Sequence, residues 1–498
     1  MGPLQIAPDL LRARDLTAAV LIEAQNPPDL LPTSSVEAVA QAHTADIARI
    51  VSSGARRGLQ VSPREYVNAR KARGGSRPVP ILTFEERVLA RAFSEYFRSR
   101  VATEVANPTT YEQMSDGPIE VGQPWVAHAD VASFYQYVDH NFLEDELVSS
   151  TGEALAAEGA LAVLGAIMQR RFGLPQGVRS SDTFADVYID VAERELLRSG
   201  RPAFRYSDDF RISARTRREA LESIELLDSS LRNIGLTLND DKTYITSLEA
   251  YVSWRTQPET LVDDFENEAW SELLTVDLYD GEVLEVPSAE AVWSEAAVKA
   301  LAWWRDHYSG VSPAGAEGLI VRRVLQRSLA VLSTLANTGA VEFAPAILDR
   351  EPQLTPQLSR YLAEVAPQLD GETSDLILAI GASDGAFLNS WQLLWLLESI
   401  HKSADIGGPL SERLRGIVAQ SRVPGITRAA AGALLVRHQL MSVDDAVALL
   451  QDLQPEAQPN VVAALAQTGK LKAAHSKLLR SNALHRLVFD HYQIAVGR

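Results

Sequence analysis

The chain of 498 residues contains no cysteine, which excludes disulfide frameworks and thiolate metal sites and fits a reducing cytoplasm. It also lacks a long hydrophobic run. Its most apolar stretch, residues 159–168, is shorter than the about 20 residues that cross a bilayer, so a buried helix is expected there. The first residues carry acids and arginines where a signal peptide needs an apolar core. The sequence therefore predicts a protein without a membrane partner.

Basic residues are in deficit, and the formal net charge is −18. Taken alone, this argues against a general nucleic-acid binder, because phosphate contacts need lysine and arginine. The charge is uneven, however. Residues 56–100 are rich in arginine and also hold Lys71, whereas residues 256–298 contain no lysine or arginine. The arginine-rich stretch has two interpretations, a surface that faces a charged ligand or a solvated helical face.

The length allows two or three domains. Residues 1–110 have mostly helical patterns, interrupted by Gly-Gly-Ser at residues 74–76. The region from residue 120 to 250 mixes strands and helices. Its clearest patterns are a strand that ends on an aspartate, a hairpin around two acids and an amphipathic helix, at residues 126–131, 203–213 and 217–233.

From about residue 300 onward the sequence is a series of amphipathic helices. Leu358, Tyr361, Leu362 and Val365 form one apolar stripe at helical spacing. Helices begin every ~15 to 20 residues, so a pair takes ~40, the period of HEAT-like repeats; an irregular helical bundle is the alternative. The predicted domains are residues 1–255, an acidic connector at 256–300 and an all-α HEAT-like region at 301–498. The overall fold class is α+β.

Three separated segments carry the chemistry: Asp-Val-Ala-Ser-Phe-Tyr at 130–135, Gly-Leu-Pro-Gln-Gly at 173–177 and Tyr-Ser-Asp-Asp at 206–209. Nucleotidyl transfer develops negative charge at both ends of the displaced phosphoryl group, which two divalent ions stabilise. Magnesium prefers carboxylates and water. The adjacent acids Asp208 and Asp209, flanked by aromatic residues, would repel each other without a cation. The segments therefore predict a carboxylate metal site.

In this order, the three segments resemble motifs A, B and C of reverse transcriptases. Residues 235–239 with Lys242 and Thr243 resemble the motif that follows the catalytic hairpin. Residues 77–81, followed by Glu86-Arg87-Val88, resemble the fingers segment of bacterial members. The resemblance covers about residues 60 to 250. It implies a fingers-palm domain with RNA-directed DNA polymerase-like nucleotidyltransferase activity.

The resemblance also implies residue roles. Asp130, Asp208 and Asp209 would be catalytic and, together with Val131, would form the site for Mg²⁺ or Mn²⁺. The deoxynucleotide-binding residues would be Arg77 at the triphosphate, Tyr135 beneath the sugar, Gln176 and Gly177 along the nucleotide pocket, and Lys242 near the pyrophosphate. Simple core packing is the alternative role for Tyr135, and an ordinary surface lysine is the alternative for Lys242.

The helical region resembles that of bacterial abortive-infection reverse transcriptases. This resemblance implies a phage-defence enzyme of the bacterial cytoplasm that consumes deoxynucleoside triphosphates. It further implies DNA synthesis without a template from a protein hydroxyl, a DNA product covalently attached to the protein, and a homo-oligomer. Two alternatives remain: a conventional RNA-templated reverse transcriptase of retron or intron type, and a non-catalytic helical-repeat scaffold. The need for an RNA template stays open.

Overall fold

The structure is a computed structural model, and no helix in the part of the chain that it describes is long and apolar enough to cross a membrane. It describes residues 4, 6, 7, 10, 15–58, 64–71, 74–101, 110–276, 283–308, 313, 315–369, 388–400, 406, 408–469 and 471–496.

The N-terminal part packs three helices and a hairpin around one long helix. The helices are α1 (Leu16–Gln25), α2 (Ser35–Ala42), α3 (Thr44–Arg57) and α4 (Phe84–Arg98), and the hairpin strands are β1 (Tyr66–Arg70) and β2 (Ser76–Pro80). Thr83 begins α4 with a capping box, since its hydroxyl accepts from the Glu86 amide and the Glu86 carboxylate accepts from the Thr83 amide. Helix α4 is therefore fixed directly after the hairpin.

A four-stranded antiparallel sheet forms the centre of the domain. Its spatial order is β4-β5-β3-β6, with β3 (Trp125–Asp130), β4 (Ala203–Tyr206), β5 (Asp209–Ala214) and β6 (Tyr244–Ser247). The predicted strand that ends on Asp130 and the predicted hairpin around Asp208 and Asp209 are thereby confirmed. Strand β3 is buried along most of its length, which explains its apolar composition.

Six helices accompany the sheet: α5 (Tyr111–Val121), α6 (Phe134–Tyr137), α7 (His140–Thr151), α8 (Ala154–Met168), α9 (Ser180–Arg198) and α10 (Arg217–Asn233). Helix α10 has the bounds expected from its apolar spacing, and α8 contains the predicted buried apolar stretch. Helices α5 and α10 pack on the central strands, and α9 packs on α4 and α10. One hydrophobic core therefore joins the sheet to the N-terminal helices.

Among the described residues after β6, the regular elements are helices apart from one short strand pair, β7 (Thr275–Val276) with β8 (Val283–Glu285). The helices are α11 (Leu248–Leu273), α12 (Ala289–His307), α13 (Gly315–Thr334), α14 (Ala344–Arg350), α15 (Thr355–Val365), α16 (Ser390–Ile400), α17 (Gly408–Ala419), α18 (Gly425–Arg437), α19 (Val443–Asp452), α20 (Gln458–Gln467), α21 (Ala473–Leu479) and α22 (Ala483–Val496). The predicted stripe on α15 is fully buried. Helices that are close in the chain pack on one another along this array, in the pairs α11–α12, α12–α13, α13–α15, α15–α16, α16–α18, α18–α20 and α20–α22. A HEAT-like repeat stays a prediction.

The C-terminal helices return to the N-terminal part. Helices α20 and α22 pack on α2, and α16 packs on β1. The Glu65 carboxylate accepts from the amides of Gly425 and Ile426 at 2.5 and 3.2 Å, which caps the N-terminus of α18. The Trp391 indole on α16 donates to the Leu30 carbonyl at 2.6 Å. The helical array therefore closes over the hairpin and the segment that precedes α2.

Three expectations differ from the structure. Gly74-Gly75 belongs to the β1–β2 connection, so it turns a hairpin instead of interrupting helices. The proposed domain limits at 255/256 and 300/301 fall inside the continuous helices α11 and α12. The acidic stretch is largely the second half of α11, where Lys299 of α12 bonds to Glu268 and Glu272 at 3.1 and 2.8 Å.

Several arginines of residues 56–100 are buried, so they neither face a charged ligand nor lie on a solvated helical face. Arg64 bonds to Glu86 at 2.7 Å, and Arg87 and Arg91 both reach Glu23, at 3.3 and 3.2 Å. These guanidinium groups are buried in ion pairs between α4, α1 and the hairpin. Burying them without partners would be costly, so their acidic partners are required for this packing.

A pH-dependent stability is expected from Glu456, which lies between α19 and α20 where the array meets residues 80–87. Burial is the main cause that raises the pKa of Glu456 to about 7; Arg64 opposes this shift, and the charges of Glu86 and Glu65 contribute to it. The folded protein holds this proton more tightly than the unfolded chain, so stability falls as pH rises from about 4.5 to 7. Glu456→Gln should therefore raise the free energy of unfolding at pH 8, by on the order of 2 kcal/mol, and change it little at pH 5.

Chemical denaturation of both proteins at the two pH values measures this difference. Asp264→Asn, an exposed acid on α11, is the matched control and should have no such pH dependence. An equal gain at pH 5 and pH 8 would contradict the assignment.

Candidate active site

Three aspartates meet at one edge of the central sheet. The antiparallel register of β3 and β5 sets Asp130 directly opposite Asp209, and Asp208 lies in the two-residue turn between β4 and β5. Ser207, the other turn residue, has a φ of 54°, a left-handed conformation that such tight hairpins require. A carboxylate oxygen from each aspartate lies within 4.8 Å of the others. Two distant chain segments thus present three carboxylates to one point.

Backbone hydrogen bonds fix the strand ends around this point. The Val131 amide donates to the Asp208 carbonyl at 3.0 Å, and the Asn239 amide donates to the Asp130 carbonyl at 2.8 Å. The Val131 side chain is buried and has no ligand atom, so this residue would reach a metal only through its carbonyl oxygen. The residues after the catalytic hairpin therefore support the aspartates directly.

The acids are strained electrostatically. Burial is the main cause that raises the pKa of Asp208 to about 6, and the neighbouring charges of Asp130 and Asp209 contribute in the same direction. Burial also raises the pKa of Asp209, which Arg211 opposes from 3.8 Å. The three carboxylates repel one another when they are ionised, and a bound divalent cation would remove this repulsion. Because all the ligand atoms are oxygens, the site fits Mg²⁺ or Mn²⁺.

Protein groups compensate part of this charge at Asp130. Lys242 donates from Nζ to Asp130 Oδ1 at 2.7 Å, and Asn239 donates from Nδ2 to Oδ2 at 3.1 Å. Lys242 is the last residue of the short 3₁₀ turn Asp240–Lys242 and is mostly exposed. It is therefore placed beside the carboxylates, whereas the sequence left an ordinary surface lysine as an equal alternative.

Tyr135 is the second residue of α6 and follows Asp130 by five residues in the chain. Its hydroxyl donates to Asp182 Oδ1 at 2.9 Å, and its carbonyl accepts from the Leu174 amide at 2.7 Å. Burial raises the pKa of Tyr135 well above its usual value, and the charge of Asp182 adds to this. The side chain is only partly buried, so it does not serve core packing alone.

Gln176 and Gly177 lie in the turn before α9. Gly177 has a φ of 76°, and a Cβ there would lie 3.2 Å from the Leu30 side chain. Asp29 donates its amide to the Gly177 carbonyl at 3.2 Å. Glycine is thus required by both its backbone conformation and the close approach of Leu30. Gln176 keeps a buried Oε1 without a hydrogen-bond partner within the described structure.

Arg77 is exposed on β2, and a second cation accompanies it. The pKa of Lys71 is lowered, first by burial and then by the charges of Arg77 and Lys242, while Asp130 and Asp208 act in the opposite sense. Lys71 therefore lies near enough to Arg77, Lys242 and two of the aspartates for their charges to act on it. Such a group of cations suits the oxygens of a triphosphate.

Sequence reasoning missed Lys71, Asn239 and Asp182 as site residues. The interpretation of residues 74–76 as a break between helices concealed Lys71, because a hairpin there would have put it next to Arg77. Asp182 lies five residues after Gly177, on the first turn of α9, and only the three-dimensional contact with Tyr135 reveals it.

Two histidines near the motifs contact other parts of the domain and do not belong to the aspartate cluster. His140 Nε2 lies 2.8 Å from the Gly173 carbonyl oxygen. His128 is buried, and its ring stacks on Tyr244 with centroids 4.3 Å apart.

Residues 69–272 match the family model described as "Reverse transcriptase (RNA-dependent DNA polymerase)". The chain carries a reverse transcriptase domain. This confirms the predicted enzyme class, an RNA-directed DNA polymerase-like nucleotidyltransferase, for that domain. No curated protein matches the chain.

Solved structures of telomerases are also similar to this chain. They are telomerase from Candida tropicalis with a fragment of telomeric RNA (12% identity, 71% of this chain, TM-score 0.30), telomerase from Candida albicans with such a fragment (12%, 78%, 0.28) and apo telomerase from Candida tropicalis (12%, 79%, 0.28). The chain covers 63%, 64% and 69% of those chains, so it spans less than two thirds of the first two. At this identity and TM-score the resemblance is loose.

Replacement of Lys242 should strengthen metal binding to the reverse transcriptase domain. Lys242 Nζ occupies Asp130 Oδ1 and repels an incoming cation, so Lys242→Ala should bind Mn²⁺ ~3-fold to 10-fold more tightly, a modest gain because the lysine is mostly exposed. Mn²⁺ binding can be measured by electron paramagnetic resonance at low ionic strength. Lys472→Ala, which removes an exposed partner of Asp444, is the control. Unchanged or weaker binding in Lys242→Ala would show that the lysine does not compete with the metal.

Proposed function

We propose that the protein is a DNA polymerase of reverse-transcriptase type that joins deoxynucleotides by two-metal nucleotidyl transfer. The observation that carries this proposal is the convergence of Asp130, Asp208 and Asp209 within 4.8 Å. These residues would hold Mg²⁺ or Mn²⁺, with the Val131 carbonyl as an additional ligand. When bound, the metal ions neutralise charge on the attacking oxygen and on the leaving pyrophosphate.

The other residues of the site would bind and orient the nucleotide. Arg77 and Lys71 would contact the triphosphate, and Lys242 would neutralise or protonate the pyrophosphate as it leaves. Tyr135 would lie beneath the sugar and exclude a 2′-hydroxyl. Gln176, with its unpartnered Oε1, and Gly177 would line the nucleotide pocket. Deoxynucleoside triphosphates are therefore the proposed substrates.

We further propose that synthesis needs no template and starts from a protein hydroxyl, so that the DNA stays covalently attached. Two features support limited template contact. The net charge of −18 disfavours tight binding of a long nucleic-acid duplex through its phosphates. In addition, the segment with Asp29 and Leu30 packs against Gly177 and is itself bonded to Trp391 of the helical array, so protein lines one side of the pocket.

The proposed biological role is abortive-infection defence against phage in the bacterial cytoplasm, carried out by a homo-oligomer with a HEAT-like C-terminal region. The packing of α16 on α18, of α18 on α20 and of α20 on α22, with one helix of the chain between each pair, supports the repeat character. The closure of this array over the N-terminal segments supports a role in controlling the domain.

Synthesis without added template or primer tests the proposal. Purified protein with labelled deoxynucleotides and Mg²⁺ should yield DNA whose migration on a denaturing gel changes after protease treatment. Asp208→Ala/Asp209→Ala should reduce the product by at least ~10³-fold, because the remaining carboxylate cannot hold the metal set.

Asp263→Ala/Asp264→Ala on α11 is the matched control, since it removes the same charge from an exposed surface. Product that requires an added RNA template and primer would identify a conventional reverse transcriptase. Absence of product under both conditions would favour the scaffold.

A further inference from the structure

One phenol hydroxyl joins two of the motif segments of the domain. Tyr135, which follows the Asp130 strand, donates from Oη to Asp182 Oδ1 at 2.9 Å, and Asp182 belongs to the helix that follows Gly177. The position of the Tyr135 ring is thus shared between the segments that resemble motifs A and B.

The backbone of Tyr135 is fixed before its side chain is considered. Ser133 adopts a left-handed conformation with a φ of 51°, which starts the short helix α6. The Tyr135 carbonyl accepts from the Leu174 amide at 2.7 Å. Only the side-chain torsions of Tyr135 can then still vary, and the hydrogen bond from its hydroxyl to Asp182 restricts them.

Asp182 lies on a rigid support. It is in the first turn of α9, between Ser181, whose hydroxyl donates to the Pro175 carbonyl at 2.8 Å, and Thr183, whose hydroxyl accepts from Ser94 at 3.0 Å. Both neighbours are buried. The backbone that carries the Asp182 carboxylate is therefore held in place, as is required of a group that positions another side chain.

We propose that Asp182 is a positioning residue that sets sugar selectivity by holding the Tyr135 ring in place. The inference rests on the proposed function, in which Tyr135 lies beneath the sugar of the incoming nucleotide. The Tyr135 ring excludes a 2′-hydroxyl only if the ring cannot move aside. A displacement of the ring by about 1 Å is enough to change the discrimination between the two sugars substantially. The Tyr135–Asp182 bond supplies this resistance.

A set of variants separates this role from a structural one. Asp182→Ala removes the acceptor, and Tyr135→Phe removes the donor but keeps the ring. Each should lower the preference for dATP over ATP by ~10-fold. Asp182→Asn keeps an acceptor oxygen and should retain the preference.

The double variant Asp182→Ala/Tyr135→Phe provides the decisive comparison. If Asp182 acts through the Tyr135 hydroxyl, the double variant should lose no more selectivity than either single variant. Asp190→Ala, two turns further along α9, is the control for loss of an acid from the same helix.

Selectivity is measured in two ways, so that failure of the inference is distinguishable from failure of the proposed function. Incorporation of labelled dATP and ATP gives the ratio of kcat/KM values. Calorimetric titration with α,β-imido analogues of dATP and ATP in the presence of Ca²⁺ gives the ratio of dissociation constants without turnover. Discrimination in binding without any polymer would refute the polymerase proposal and still test Asp182.

Three results would overturn the inference: a wild-type protein that discriminates in neither assay, an Asp182→Ala variant with unchanged selectivity, or additive losses in the double variant. A fall in total activity with unchanged sugar preference would assign Asp182 to folding alone.

Discussion

The site depends on the antiparallel register of β3 and β5, which forces Asp130 against Asp209 and leaves Asp208 in the connecting turn. Like charges this close resist ionisation, and the raised pKa of Asp208, due first to burial and then to its two neighbours, measures that cost. A shift of one residue in either strand would turn an aspartate to the opposite face of the sheet. Strand pairing therefore stabilises an arrangement that its own charges oppose.

Much of the surrounding structure compensates this arrangement. Lys242 and Asn239 satisfy the two oxygens of Asp130, and the Asn239 amide also bonds to the Asp130 carbonyl, so the segment after α10 acts as a brace for β3. Arg211 is buried on the same strand as Asp209, and its guanidinium group lies 3.8 Å from the Asp209 carboxylate. These groups offset part of the repulsion between the three carboxylates.

Local patterns predicted the elements that contain the site. The apolar run that ends on Asp130 and the aromatic flanks of Asp208 and Asp209 specify a strand and a hairpin through neighbouring residues alone. Lys71 and Asp182 escaped because their roles depend on contacts between segments. The buried arginines of α4 are a similar case. Their charge predicted contact with solvent or with a charged ligand, whereas ion pairs with an acid more than 50 residues away allow them to be buried. Pairing at that distance leaves no periodic signal.

The same distinction applies to the C-terminal array. Its helices follow from amphipathic spacing, yet its return to the N-terminal segments depends on contacts between distant parts of the chain: a shared hydrophobic core, Glu65 at the N-terminus of α18, and Trp391 at the Leu30 carbonyl. Leu30 in turn packs against Gly177, so a contact made by α16 reaches the turn before α9 through one short segment. Any movement of α16 would have to break the indole bond or displace Leu30. The array is thus mechanically connected to the turn that carries Gly177, although the described helices of the array supply none of the three carboxylates.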